Sequence, residues 1–246
     1  MVSDTSFPLL AIDAGNTRIK WGVHDGKSWV LTGKAATADS DDLGWPAAAA
    51  KVALASNVAG DSVQADLERA CSQAGMALAF IRAEAEELGV VNGYREPGQL
   101  GSDRWAALIA AHHGDKGHKL VVNVGTALTI DALAEGGRFL GGLIVPGPAL
   151  MRRSLDRGTA GLRLTRGAFH PFPESTPDAI TTGAIQAGIG AIARMREAMA
   201  AQGMEPRCIV LSGGGAPEIG PHLPWESVVR ENLVLDGLAL IAQARP

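Results

Sequence analysis

The chain has 246 residues, 46% hydrophobic and 20% charged, with a net charge of −4 at pH 7, a globular composition with room for two domains of ordinary size. The negative balance and an aromatic content of only 4% exclude a basic nucleic-acid footprint and a base-stacking platform. No apolar run approaches the roughly 20 residues of a membrane helix, no basic-then-apolar leader opens the chain, and Cys71 and Cys208 have no zinc or disulfide spacing. These readings lead us to expect a cytoplasmic protein with neither membrane nor nucleic-acid partners.

In chain order, "PLLAIDAG", "TRIKWGVHD" and "KSWVLTG" read as three short strands, the last two joined by an Asp25-Gly26 hairpin turn. "KVALASNV" and "ALAFIRA" are further strands, flanking a helix with apolar residues at Val63, Leu67, Ala70 and Cys71. A polar, turn-rich segment from Val90 to Arg104 leads into the alanine-rich helix "WAALIAAHH". Then comes "KLVVNVGTALTIDALAEGGRFLGGLIVPG", again strand, glycine turn, strand, glycine hairpin, strand. A long helix follows, opened by Thr176 as cap and Pro177 at the first helical position. The strand "PRCIVLS" runs into a triple glycine, and "ENLVLDGLALIAQA" reads as a closing helix.

The second strand set repeats the first. Asp13 to Asn123, Gly15 to Gly125 and Gly26 to Gly136 are each offset by 110 residues. A matching turn, hairpin and apolar flanks indicate two halves built on one plan, 1–117 and 118–246. Strand hairpins mixed with helices in each half indicate α/β or α+β layers.

Two nucleotide signatures are near misses. "GVHDGKS" is one residue short of a phosphate-binding P-loop and precedes a strand, where that loop needs a helix. "GIGAIA", Gly188 to Ala193, lies inside a helical pattern and reads as helix packing.

Four polar features carry chemistry. Asp13-Ala14-Gly15-Asn16-Thr17-Arg18 interrupts a core strand; its turn amides and side chains suit a phosphate, its acid suits Mg²⁺, and Lys20 adds positive charge. A capped hairpin is an equal reading of that stretch alone. Asn123-Val124-Gly125-Thr126 is its counterpart, so that the pair could grip a polyphosphate from both sides. The glycines of "LSGGGAP" allow close backbone approach to a flat ligand such as a purine, or form a flexible turn. Gly101-Ser102-Asp103-Arg104 sets a carboxylate beside a guanidinium at a helix start, where it either positions and deprotonates an alcohol or merely caps the helix. The six histidines make no ligand spacing.

Taken together, "DAGNTRIKWG", "NGYREPGQLGSDRW", "NVGTALTID", "GGLIVPG" and "LSGGG" closely resemble the type III pantothenate kinases, within the superfamily of acetate and sugar kinases, Hsp70 and actin. The resemblance covers nearly the whole chain. It implies an α/β fold of two duplicated ribonuclease-H-like (actin-like ATPase) domains with a nucleotide cleft between them. It also implies transfer of the ATP γ-phosphoryl group to pantothenate, the first committed step towards coenzyme A. Asp13, Ala14, Gly15, Asn16, Thr17, Arg18, Ile19, Lys20 and Thr126 would bind ATP, with Asp13 also holding Mg²⁺. Tyr94, Gly101, Ser102, Asp103, Arg104 and Thr176 would contact pantothenate, with Asp103 as general base. The family usually works as a homodimer with a monovalent cation, potassium or ammonium. Many members carry aspartate where this chain has Asn123, so weaker cation binding is expected here. Another small-molecule kinase and a nucleotide-gated regulator are the competing readings; the acceptor-site block argues against the first, and Asp13 with Asp103 argues against the second.

Overall fold

A computed structural model describes residues 7–40, 43–45, 50–114, 116–159, 162 and 166–245. The chain divides into one unit of Met1–Asp115 with Asn232–Pro246, and a second of Lys116–Glu231.

In the first unit, β1 (Leu9–Ala14), β2 (Arg18–His24), β3 (Trp29–Ala36), β4 (Val52–Asn57) and β5 (Ala77–Phe80) form a sheet ordered β3-β2-β1-β4-β5. The first three strands are an antiparallel meander, and β4 and β5 run parallel to β1. Parallel strands need a crossover, and α1 (Asp61–Gln73) supplies it between β4 and β5. Its Val63, Leu67 and Cys71 recur every four residues and close over Leu10, Ile12 and Ala14 of β1 and Ala53 and Ala55 of β4. β1 is buried at Leu9 and Ala11 on its other face as well. A strand covered on both sides reads as a continuous apolar run, which is why "LLAI" does not alternate with polar residues.

A two-residue-strand hairpin, β6 (Glu86–Glu87) and β7 (Val90–Val91), precedes α2 (Ser102–Gly114). Buried without interruption from Arg104 to Ala111, α2 packs on the last helix and on β4.

The second unit repeats this plan. β8 (Lys119–Val124), β9 (Ala127–Leu133), β10 (Phe139–Pro146), β11 (Cys208–Ser212) and β12 (Ser227–Val229) are ordered β10-β9-β8-β11-β12, with the same antiparallel meander and parallel pair. Both sheets have the ribonuclease-H-like strand order. Helices α3 (Pro148–Gly158), α4 (Thr176–Ala200) and α5 (Ala216–Ile219) belong here. Ile185, Ile189 and Ile192 of α4 cover Leu120, Val122 and Leu128. A side chain at Gly188 would stand 3.1 Å from both Leu128 and Ile219, so the "GIGAIA" glycine is a packing glycine inside α4. The P-loop-like "GVHDGKS" is the β2–β3 hairpin: Asp25 accepts from the Lys27 and Ser28 amides, and Gly26 takes φ +97°.

Three expectations need correction. The closing helix, α6 (Leu233–Ala244), returns to the first unit and packs on α2, β1 and β4; the division at 117/118 assigned it to the second half because contact order is invisible in a linear repeat. The cap of α4 is Ser175, whose hydroxyl accepts from the Asp178 amide; Thr176 already lies in the first turn. In the repeat itself, Ala14 pairs with Ile19 but Val124 pairs with Leu128, so the second turn is one residue shorter. The next hairpin is one residue longer, between Leu133 and Phe139, against His24 and Trp29. The two changes cancel, which hides them behind a constant offset, and the left-handed glycine matching Gly26 is Gly137, at φ +84°. The mostly exposed α3 was not anticipated; Pro148 is its one buried residue.

Gly237 sets the distance between α6 and α2. A Cβ there would lie 2.0 Å from the Ala106 carbonyl oxygen. Alanine would gain about 1 kcal/mol of helix propensity, but overpacking against rigid backbone costs about 1–3 kcal/mol or more. Gly237→Ala is therefore expected to lower the urea midpoint; an unchanged or higher midpoint would show that the helices can separate freely.

Candidate active site

In the first unit the polar residues converge at the C-terminal end of β1. Asp13 is cross-strand from Lys20 on β2 and from Ser56 on β4. The following turn is closed by the Gly15 amide donating to the Arg18 carbonyl at 3.1 Å and is braced by Thr37, whose hydroxyl donates to the Gly15 carbonyl at 2.6 Å. Asn16, Thr17 and Arg18 are exposed at the turn, whereas the Ala14 and Ile19 side chains are fully buried, so those two offer a ligand only backbone.

The first turn of α2 lies over this strand end. Gly101 precedes it for a steric reason: a Cβ there would meet an Asp103 carboxylate oxygen at 2.6 Å. The Ser102 hydroxyl, nearly buried, shares a 2.8 Å hydrogen bond with the wholly buried Ser56 hydroxyl. One Asp103 oxygen accepts from the Arg104 amide at 2.8 Å, which satisfies a first-turn donor. Asp103 thus satisfies a helix-start amide from inside the first turn, and its charge also acts on Asp13.

Those surroundings shift both acids. Burial, and then the neighbouring Asp103 charge, push the Asp13 carboxyl up to about 7, against the opposing pull of Lys20. Burial also holds Asp103 above the usual carboxylate range, opposed by the Arg104 amide and guanidinium. Buried like-charged carboxylates that each favour a proton are a common arrangement of active sites.

Arg104 itself is buried and donates to the Tyr94 hydroxyl at 3.1 Å, with its guanidinium 5.7 Å from the Tyr94 ring centre. The loop that presents Tyr94 is knotted by Asn92, which accepts from the Tyr94 amide and donates to the Glu84 and Pro97 carbonyls. Neither Asn92 nor Ser56 was singled out from the sequence. Ser56 carried one signal, a polar residue ending an apolar strand just as Asp13 does.

The second unit places its matching residues at the end of β8. Asn123 pairs with Thr129 on β9 and Ser212 on β11, the positions equivalent to Lys20 and Ser56. The charged Asp13–Lys20 pair is thus replaced by the uncharged Asn123–Thr129 pair. Gly213, at φ +88°, allows the chain to pass the Asn123 side chain and the Val124 carbonyl, both within 2.5 Å of where a Cβ would sit. Gly147 allows the same approach to the Gly125–Thr126 turn, and its amide donates to the Thr126 carbonyl at 2.9 Å. Thr176 is exposed at the start of α4.

Among the described residues no three His, Cys, Asp or Glu side chains form a metal-binding group. Asp13 is a hard oxygen donor, and Mg²⁺ is commonly held by one or two carboxylates with phosphate oxygens and water completing the shell. That donor fits such an ion when a polyphosphate is also present. No helix of the described residues is long and apolar enough to cross a membrane.

The raised Asp13 carboxyl links stability to pH. Its folded value of about 7 exceeds the ordinary 3.8, so the native state favours the neutral acid. That stability is complete below pH 4 and is lost as pH rises through 7. Asp13→Asn is expected to match the wild type in urea unfolding at pH 4 and to exceed it by about 2–4 kcal/mol at pH 8. An equal difference at both pH values would exclude ionisation as the cause.

Residues 9–198 match the family model for type III pantothenate kinase. The type III pantothenate kinase of Nitrosospira multiformis is 44% identical over 243 residues, covering 96% of this chain and 91% of that protein. Among solved structures, a Campylobacter jejuni protein provisionally assigned to the Baf family of transcriptional activators matches at 18% identity and a TM-score of 0.62, over 94% of this chain and 96% of that one. A Sinorhizobium meliloti protein provisionally assigned as a 2-dehydro-3-deoxygalactonokinase matches at 14% identity and a TM-score of 0.58, over 96% of both chains. At such identities the likeness shows the fold alone, one of two duplicated ribonuclease-H-like domains. The family model and the full-length relative go further: the chain belongs to the type III pantothenate kinase family.

Proposed function

We propose that this protein transfers the γ-phosphoryl group of ATP to the primary hydroxyl of pantothenate, giving 4′-phosphopantothenate on the route to coenzyme A. The observation that carries this reading beyond family membership is Asp103. It is a half-buried carboxyl at the start of α2, with one oxygen fixed by the Arg104 amide and its proton affinity raised.

Phosphoryl transfer asks the protein for alignment and charge neutralisation more than for covalent chemistry. The turn at Gly15–Lys20 offers backbone amides and hydroxyls to the phosphates, and Thr126 is assigned to ATP as well. Asp13, with Asp103 beside it, is where Mg²⁺ would be held, and that ion would neutralise charge developing on the phosphate oxygens. Asp103 orients the pantothenate hydroxyl and accepts its proton. The hydroxyl oxygen bonds to the γ-phosphorus, the bond from that phosphorus to the β–γ bridging oxygen breaks, and ADP leaves with the electron pair. A base whose affinity is raised towards the working pH suits that role, worth about 10²–10⁴-fold in rate. Arg104, its guanidinium held by Tyr94, and Thr176 are assigned to pantothenate, whose carboxylate suits a guanidinium. Potassium or ammonium would be held near Asn123 through a carbonyl oxygen with no formal charge. A cytoplasmic homodimer completes the proposal.

Purified protein with ATP and Mg²⁺ is expected to release ADP when pantothenate is supplied, and not with a panel of other primary alcohols. Absence of pantothenate-dependent release overturns the reading. Asp103→Asn should lower kcat by about 10²–10⁴-fold with ATP affinity little changed; equal loss of both would make Asp103 a structural cap. For the cation, Asn123→Asp should steepen and left-shift the potassium activation curve. A superimposable curve would remove Asn123 from the cation site.

A further inference from the structure

We propose that Ser56 is a positioning residue for the phosphoryl-transfer site: through Ser102 it sets where Asp103 stands relative to Asp13. The inference rests on the kinase reading for its catalytic consequence, but its structural half stands alone.

Ser56 interrupts an otherwise apolar strand, following Ala53, Leu54 and Ala55, and is wholly buried. An unpaired hydroxyl there is costly, so its partner matters. That partner is the hydroxyl of Ser102, at 2.8 Å, and neither hydroxyl has a second partner among the described residues. Two hydroxyls bring two protons to one hydrogen bond. Ser56 has no access to solvent, so it is satisfied by donating to Ser102, and the remaining proton sits on Ser102, which borders the site.

Register adds the second part. Ser56 is the residue of β4 paired with Asp13 of β1. Ser102 is the first residue of α2, and Asp103 is the next. The serine pair therefore ties the strand position beside one carboxylate to the helix position beside the other. The same turn is also held elsewhere, by the Trp105 indole donating to Glu87 at 2.9 Å and by Arg104 donating to the Tyr94 hydroxyl at 3.1 Å. The serine pair differs from these in running to β4 at the residue paired with Asp13, and a hydrogen bond fixes direction as well as distance. The duplication places a serine, Ser212, at the equivalent position of β11 beside Asn123.

The test is a double-mutant cycle read in steady-state kinetics and in amide hydrogen exchange. Ser56→Ala is expected to lower kcat by about 10- to 100-fold while the KM for ATP stays within about 3-fold. In the Asp103→Asn background the same substitution should change kcat by less than about 2-fold, because there is no base left to misplace. The same loss factor in both backgrounds overturns the proposal and leaves Ser56 as ordinary core. Ser56→Cys keeps the size and a weak donor, and should fall between wild type and alanine. If Ser56→Ala does not fold, the cycle is read with Ser56→Cys against the same criterion. The exchange measurement needs no substrate. The Arg104 and Trp105 amides should exchange about 10-fold faster in the Ser56 variant, with β1 amides unchanged. Unchanged α2 amides overturn the proposal, whereas a wild type inactive on pantothenate overturns the kinase reading alone.

Discussion

Asp13 and Asp103 repel one another, and the local structure of the first unit is arranged to hold them together. One ends a strand buried on both faces; the other begins a helix buried almost all round. Neither can drift without moving a packed element; burial raises the proton affinity of both, and at Asp13 the neighbouring Asp103 charge adds to it. Lys20 at Asp13, and the Arg104 amide and guanidinium at Asp103, give partial compensation. On the proposed function, a dication and a polyphosphate would relieve the remainder. That cost makes the site a point of low stability above neutral pH, as expected where strain is kept for function.

Duplication supplied two similar strand ends, and divergence made them unequal. At the first, an acid faces a lysine; at the second, Asn123 faces Thr129. Asparagine keeps an oxygen for a weak cation or a hydrogen bond but brings no charge. The shorter second turn and the closely apposed Gly147 and Gly213 also make that end more backbone-lined than the first. The division of labour follows from chemistry: charge control at one end, close approach of amides and carbonyls at the other.

Much of this was legible in the order of residues. Apolar runs broken by glycine turns give the strands, because a chain cannot bury "LLAI" or "LVV" otherwise, and the 110-residue echo exposes the duplication. The compensating one-residue changes in successive turns were not legible, because a deletion and an insertion that cancel leave the spacing intact. Asp103 could be read only as cap or base; the structure shows it satisfying a helix-start amide with one oxygen while its charge acts on Asp13, which keeps the second role open. Ser56 carried only the signal of a polar residue late in an apolar strand, and nothing along the chain tied it to Ser102.

The sequence by itself therefore determined the family, the succession of strands along each half and the short list of acids, since these depend on local pattern and on motifs read along the chain. Tertiary structure alone decided that α6 returns to the first unit, that Ser56 reaches Ser102 across 46 residues, and that two ordinary aspartates share one electrostatic environment. Those facts depend on which distant segments exclude water from each other. Burial and proximity are properties of the packed chain, and no stretch of sequence carries them alone.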